Sequence, residues 1–287
     1  MTVLETIQRS ADYLARKGVD SPRLQVELLL AHVLGLPRLQ LYLNFERLLT
    51  APELESLREL VRRRGRREPL QHLVGSTSFC GLEIRVTPDV LIPRPETEVL
   101  AELAWTWLNG RGPAPPVTVL DFGTGSGCLA IALAVKCPQA QVYAVDVSAP
   151  ALAVAQANGE RLGVAKRIRW VCGDGFAALD QQTRFDLVVA NPPYLPTAVI
   201  ATLQPEVRDF DPRLALDGGI DGLDFMRRLA REGPGVLRPG GCLMAELGDG
   251  QATDARGLFA SSGWFVEAVA SDLANRPRIL IARPGGS

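Results

Sequence analysis

The sequence predicts an open α/β sheet preceded by a small helical bundle. From Val117 onward, short apolar runs alternate with helical stretches, the pattern of a mostly parallel sheet. Before about residue 75 the apolar residues recur at helical spacing. A third observation locates the chemistry: Asn191-Pro192-Pro193-Tyr194 follows directly on the apolar run Phe185–Ala190.

At 287 residues the chain has room for two domains. Hydrophobic residues make up 47% and charged residues 22%, as in ordinary water-soluble proteins. The net charge of −1 gives no general attraction to nucleic acid or to an anionic membrane. Apolar stretches fall far short of a membrane span, and the N-terminus has no basic region ahead of an apolar run, so neither a membrane segment nor a signal peptide is expected. Cysteines at 80, 128, 137, 172 and 242 show no CxxC spacing. That pattern argues against a zinc site or a disulfide framework and fits reduced thiols in the cytoplasm.

Taken in order, Ser21-Pro22 is a helix start, and Leu24, Leu28, Leu29 and Val33 share its spacing until Gly35 and Pro37. Ala51-Pro52-Glu53 opens another helix, with Leu54, Leu57, Leu60 and Val61 on one face. Through Gly75 there are 12 Lys/Arg against 9 Asp/Glu, or +3, which leaves −4 of the total −1 for the rest. Most of the excess lies in Arg62–Arg67, read either as a solvated helix end or as a patch that helps dock a macromolecule. Gly75 and Gly81 then punctuate a stretch in which Leu82, Ile84 and Val86 alternate, as in a hairpin. Pro95 suits a first helical turn, with Glu96 and Glu98 at its positive end. That helix carries Val99, Leu100, Leu103, Trp107 and Leu108, and Gly110 to Pro116 breaks it. The expected domains are a helical unit over 1–75, a hairpin linker over 76–95 and an α/β domain over 96–287.

Seven strands are expected: Val117–Phe122, Gln141–Val147, Ile168–Gly173, Phe185–Ala190, Gly241–Leu247, Trp264–Ala270 and Arg278–Ala282. The insertion from Leu195 to Gly222 is rich in Pro, Asp and Gly, and loops of that length tend to be functional. After the first strand comes Gly123-Thr124-Gly125-Ser126-Gly127, a turn that lets backbone approach a ligand. Asp146 ends the next strand, 19 positions beyond Gly127, where a carboxylate can accept from ribose hydroxyls. Asp174 ends the third strand and can accept from an adenine amine, with Gly175 and Phe176 beside the ring. The glycine spacing favours S-adenosylmethionine over a dinucleotide.

At Asn191-Pro192-Pro193-Tyr194, two prolines cannot continue a strand ladder and hold the backbone stiff. The Asn191 oxygen and a neighbouring backbone carbonyl are both acceptors, suited to a planar NH₂ group, and Tyr194 offers a flat surface. The bland alternative is a strand-to-loop turn with a solvated Asn.

Four stretches, IPRPETE (92–98), DFGTGSG (121–127), NPPY (191–194) and DGGIDGLDF (217–225), resemble the HemK/PrmC protein-(glutamine-N5) methyltransferases over nearly the whole chain. The resemblance implies a Rossmann-like seven-stranded methyltransferase domain behind a helical substrate-recognition domain. It implies a methyl transfer from S-adenosylmethionine to the glutamine of the Gly-Gly-Gln loop of class I peptide chain release factors, with no direct nucleic-acid partner. Carried onto this chain, Gly123 to Gly127 line the cofactor, Asp146 binds ribose and Asp174 lies beside adenine. Asn191 and the Pro192 carbonyl hold the amide, with Pro193 and Tyr194 beside it. Family members often have an aromatic where Gly175 stands and a Gly where Asn275 stands. Competing readings are a DNA or RNA adenine methyltransferase, a ribosomal-protein glutamine methyltransferase, and a non-catalytic cofactor-binding module.

Overall fold

The computed structural model describes residues 1–111 and 116–285. Part of the expected helix break between Gly110 and Pro116 lies outside the described residues. The chain forms two compact units: residues 1–76 with 204–210, and residues 77–203 with 211 onward.

The first unit contains α1 (Val3–Arg16), α2 (Pro22–Leu34), α3 (Arg38–Tyr42), α4 (Ala51–Gly65) and α5 (Leu70–Val74). Helices α1 and α4 each begin with a capping box, Thr2 with Glu5 and Thr50 with Glu53, which satisfies first-turn N–H groups. Ser21 precedes α2 but makes no side-chain cap. Leu24 is exposed, and the buried stripe of α2 is Val26, Leu29, Leu30 and Ala31 together with Glu27. Glu27 is buried because Arg23, Arg38 and the Tyr42 hydroxyl all donate to it, at 3.0, 2.9 and 2.9 Å. The Arg62–Arg67 run is largely consumed within the unit. Arg63 pairs with Glu68 at 2.5 Å and Arg62 with Glu59. Arg64 and Arg67 both grip Glu206, at 2.7 and 2.6 Å. Arg62, Arg63 and Arg64 do occupy the last turn of α4, as expected of a solvated helix end, and Arg64 and Arg67 are in addition spent on Glu206.

The second unit opens with a hairpin of β1 (Ser76–Phe79) and β2 (Leu82–Arg85) around Cys80-Gly81, then α6 (Pro95–Asn109). The sheet elements follow: β3 (Thr118–Phe122), α7 (Cys128–Lys136), β4 (Gln141–Asp146), α8 (Ala149–Arg161), β5 (Ile168–Cys172) and β6 (Phe185–Ala190). After α9 (Pro205–Arg208), which belongs to the first unit, come α10 (Asp224–Glu232), β7 (Leu237–Glu246), α11 (Ala252–Ser261), β8 (Trp264–Ser271) and β9 (Pro277–Pro284). Seven strands lie in the order β5-β4-β3-β6-β7-β9-β8. The first five are parallel, and β9 runs antiparallel to both β7 and β8.

Strands β3 and β6 are buried along their whole length, which explains why they are apolar apart from Thr118, Asp121 and Asp186. Two apolar layers cover the faces, one around Leu100, Ile131 and Leu187, the other around Phe185, Leu229 and Phe259. Asp186 on β6 is 7% exposed; its Oδ2 accepts from the Thr118 N–H and from Arg238, both at 2.8 Å, and so ties β6 to β3 and β7. The chain builds outward from β3 to β5, then returns to β6 on the other side of β3. That reversal leaves a crevice beyond the carboxyl ends of β3 and β6, where open α/β sheets bind ligands.

Candidate active site

A cleft open to solvent occupies that crevice. Gly123, Thr124, Gly125, Ser126, Asp146, Asp174, Gly175, Asn191, Pro192 and Pro193 all line it. Gly127 and Tyr194 do not.

On the β3 side, Gly123 and Gly125 have φ of 74° and 54°, and a Cβ on either would meet nothing within 4 Å. The backbone there borders open space that a side chain would otherwise fill, as a closely approached ligand requires. Gly127 serves packing instead, since a Cβ would lie 2.9 Å from the Ala155 Cβ on α8. The turn is braced from below by Asp121, which is fully buried. Its Oδ2 accepts from Thr124 Oγ1 at 2.6 Å and from the Ala130 N–H at 3.1 Å, and burial pushes its pKa up to about 7. Asn158, also fully buried, bonds the Arg85 backbone through both ends of its amide and donates to the Ser126 carbonyl at 3.0 Å. It therefore joins the hairpin to the glycine turn.

Asp146 accepts from the Gly125 N–H at 2.8 Å and from the Ser148 N–H at 2.9 Å, one on each oxygen. Two backbone donors fix the carboxylate, and each oxygen keeps a lone pair for a further donor such as a ribose hydroxyl. Asp174 pairs with Arg228 of α10, whose Nη2 also donates to the Asp174 carbonyl at 2.9 Å. Gly175 sits beneath the Phe122 ring, where a Cβ would come within 2.5 Å of Cε2. Phe176 is buried against Phe122, centroids 4.8 Å apart, so Phe122 and not Phe176 faces the cleft. Open glycine backbone, an oriented carboxylate and an aromatic wall fit an adenosine-bearing cofactor.

On the β6 side, Asn191 Nδ2 donates to Thr97 Oγ1 at 3.0 Å. Thr97 in turn donates to Glu246 Oε2 at 2.7 Å. The Tyr194 hydroxyl faces the other oxygen of Glu246 at 3.4 Å. Thr97 and Glu246 are each 1% exposed. Burial pushes Glu246 up to about 7 and, with Glu246 alongside, holds the Tyr194 phenol above its usual range. The run 217–225 backs the cradle. A Cβ at Gly218 would lie 2.8 Å from the Pro193 carbonyl oxygen, and one at Gly222 would lie 2.3 Å from that of Tyr194. Gln251 donates to the Tyr194 carbonyl at 2.9 Å and accepts from the Gly248 N–H at 2.8 Å. Glu246, Gln251 and Asn158 escape sequence reasoning, because a polar residue bonded across many positions leaves no local pattern, and Thr97 lies in the IPRPETE stretch without a role assigned to it.

Comparisons with known proteins agree with this architecture. Residues 5–75 match the PrmC N-terminal domain and residues 112–203 the methyltransferase small domain. A release factor glutamine methyltransferase of Geobacter sulfurreducens is 48% identical over 284 residues, 99% of this chain and 97% of that protein. One of Chlorobaculum tepidum is 46% identical, covering 91% of this chain and 90% of its own. Among solved structures, a methyltransferase from Pyrococcus furiosus superposes with a TM-score of 0.52 at 20% identity, over 73% of this chain and 92% of that one. The N-terminal domain of human METTL16 in complex with SAH gives 0.50 at 17% identity, over 72% and 77%. These two likenesses establish the fold.

Proposed function

The chain belongs to the release factor glutamine methyltransferase family, and from that premise we propose that it methylates the side-chain amide nitrogen, N5, of the glutamine in the Gly-Gly-Gln loop of class I peptide chain release factors. The observation that carries this reading is the single cleft shared by the open glycine turn and the Asn191-Pro192 cradle. When bound, S-adenosylmethionine would supply a methyl group activated on a sulfonium sulfur, with the neutral thioether as its leaving group.

The chain's own residues do the rest. The turn at Gly123–Ser126 and the oriented carboxylate of Asp146 hold the cofactor, with Asp174 and Gly175 at its adenine end. Asn191 Oδ1 and the Pro192 carbonyl accept the two N–H bonds of the substrate amide. An amide nitrogen is a poor nucleophile because its lone pair is delocalised; gripping both N–H bonds favours a pyramidal nitrogen and steadies the positive charge that grows on it. Pro193 keeps the cradle stiff, and Tyr194 closes it from behind. The amide proton leaves to solvent after transfer. The helical unit serves recognition of the protein substrate, since a single glutamine needs a folded partner to be held at the cradle.

A reaction on release factors belongs in the cytoplasm, and the five cysteines are free thiols, as a reducing compartment allows. No described helix is long and apolar enough to cross a membrane. The −4 charge beyond Gly75 and the pairing of Arg62, Arg63, Arg64 and Arg67 leave little surface for a phosphate backbone. Mass spectrometry of release factor incubated with the protein and cofactor tests the reading. A methyl group on the loop glutamine is expected. An unmodified glutamine alongside methylated adenine in DNA would move the assignment to nucleic acid.

A further inference from the structure

We propose that Thr97 and Glu246 are positioning residues for Asn191: they fix which way its carboxamide faces, so that oxygen, not NH₂, is presented to the substrate amide. This rests on the amide-cradle reading above and goes beyond it.

The two ends of an Asn carboxamide have nearly the same shape, so cavity shape alone does not choose between them; hydrogen-bond partners must. The cradle works in one orientation only. With oxygen inward, Asn191 accepts an N–H of the substrate. With NH₂ inward, two donors would face each other.

The choice is made behind the cleft. A Thr hydroxyl has one hydrogen to give. Glu246 takes it, at 2.7 Å. Thr97 then offers only lone pairs to Asn191, so the Asn191 NH₂ must turn toward it, as the 3.0 Å contact shows. The flipped arrangement would set two acceptors against each other at a site where Thr97 is 1% exposed. Glu246 is held in its role from several elements: the Tyr194 hydroxyl donates toward Oε1, Arg278 of β9 attracts it, and Glu96 on α6 repels it. The relay keeps this direction as long as Oε2 accepts from Thr97. Thr97 and Glu246 lie 149 positions apart, and the relay exists only once α6 has docked beside β7.

The test compares Thr97→Val, which keeps the shape and removes the hydroxyl, with Thr97→Ser, which keeps the hydroxyl. Thr97→Val should lower kcat by up to about a hundredfold, the scale of a small misplacement in a reacting geometry. Its affinity for S-adenosylmethionine, read by calorimetry, should be unchanged, and Thr97→Ser should recover most of the rate. A folded Thr97→Val with wild-type kcat, or a Thr97→Ser as slow as the valine variant, overturns the proposal. A measurement on the unaltered protein stands beside these. The Asn191 side-chain NH₂ should give a slowly exchanging ¹⁵N–¹H pair with a nuclear Overhauser effect to Thr97, and a fast-exchanging pair without it overturns the proposal without any variant. Asn191→Ala separates the two levels. If it is inactive while Thr97→Val is normal, only the relay fails; if Asn191→Ala itself is fully active, the cradle reading fails.

Discussion

One glycine-rich stretch borders the cleft and another lies behind it, and they differ in what a side chain would meet there. At Gly123 and Gly125 an added Cβ would stand in open space; at Gly218 and Gly222 it would be driven into the carbonyl oxygens of Pro193 and Tyr194. The first stretch uses glycine to leave room for a ligand. The second uses glycine to let one piece of backbone lie against another. The cofactor half of the site is thus shaped by what is absent from its surface, and the amide half by what is packed behind it.

That contrast can be broken most forcefully at Gly222. Gly222→Ala should cost about 3 kcal/mol of stability, the upper range for overpacking, because its neighbour is backbone and cannot step aside. Denaturant melts would read this, and a variant as stable as the parent would mean that the run does not brace the cradle. Asp146→Ala acts on the other half and should weaken S-adenosylmethionine binding by roughly 1–3 kcal/mol, the cost of losing a charged hydrogen-bond partner. Calorimetry on the folded variant decides it, and unchanged affinity would remove Asp146 from the cofactor site. Gly125→Ala should cost stability only the strain of its φ of 54°, about 1–2 kcal/mol. Its larger signature should be weaker cofactor binding, whereas Gly222→Ala should show the reverse balance.

Each half also buries one carboxyl group, Asp121 under the glycine turn and Glu246 behind the cradle, both pushed up to about 7 by burial. A raised acid pKa means that the neutral form is favoured in the folded state. For Glu246 that contribution is full below its ordinary value of 4.5 and is lost as pH rises through about 7. Glu246→Gln cannot ionise, so its melting temperature relative to the parent should rise by a few degrees between pH 5 and pH 8. Equal differences at both pH values would contradict the buried acid.

Much of this contrast is legible in the sequence. The run Phe185–Ala190 reads as a buried strand and is one, because both its faces are covered and no polar alternation interrupts it. Asn275, standing where family members often have Gly, takes a left-handed conformation that Asn tolerates, with φ of 59°. The start of β7 is not legible: Arg238-Pro239-Gly240-Gly241 looks like a turn, yet the strand begins at Leu237 and an irregularity opposite Phe185 and Leu187 absorbs the extra residues. On α2, spacing alone selects Leu24, whereas the structure exposes Leu24 and buries Glu27 beneath two arginines and a tyrosine. Periodicity reports which positions share a face, and the partners that rescue a buried charge arrive from elsewhere in the chain.

Asp186 carries a consequence for the positional tolerance of the reaction. It locks β6 to β3 and β7 at the end of the sheet away from the cleft, five residues and about 16 Å of strand from Asn191. A slip of one residue between β3 and β6 would carry the amide cradle about 3.3 Å along the sheet relative to the glycine turn and turn every side chain to the opposite face. That error matches the whole separation between reacting atoms in a productive complex, about 3–3.5 Å. Asp186 touches neither ligand, yet it serves as the zero mark of the ruler along which the two halves of the site are aligned.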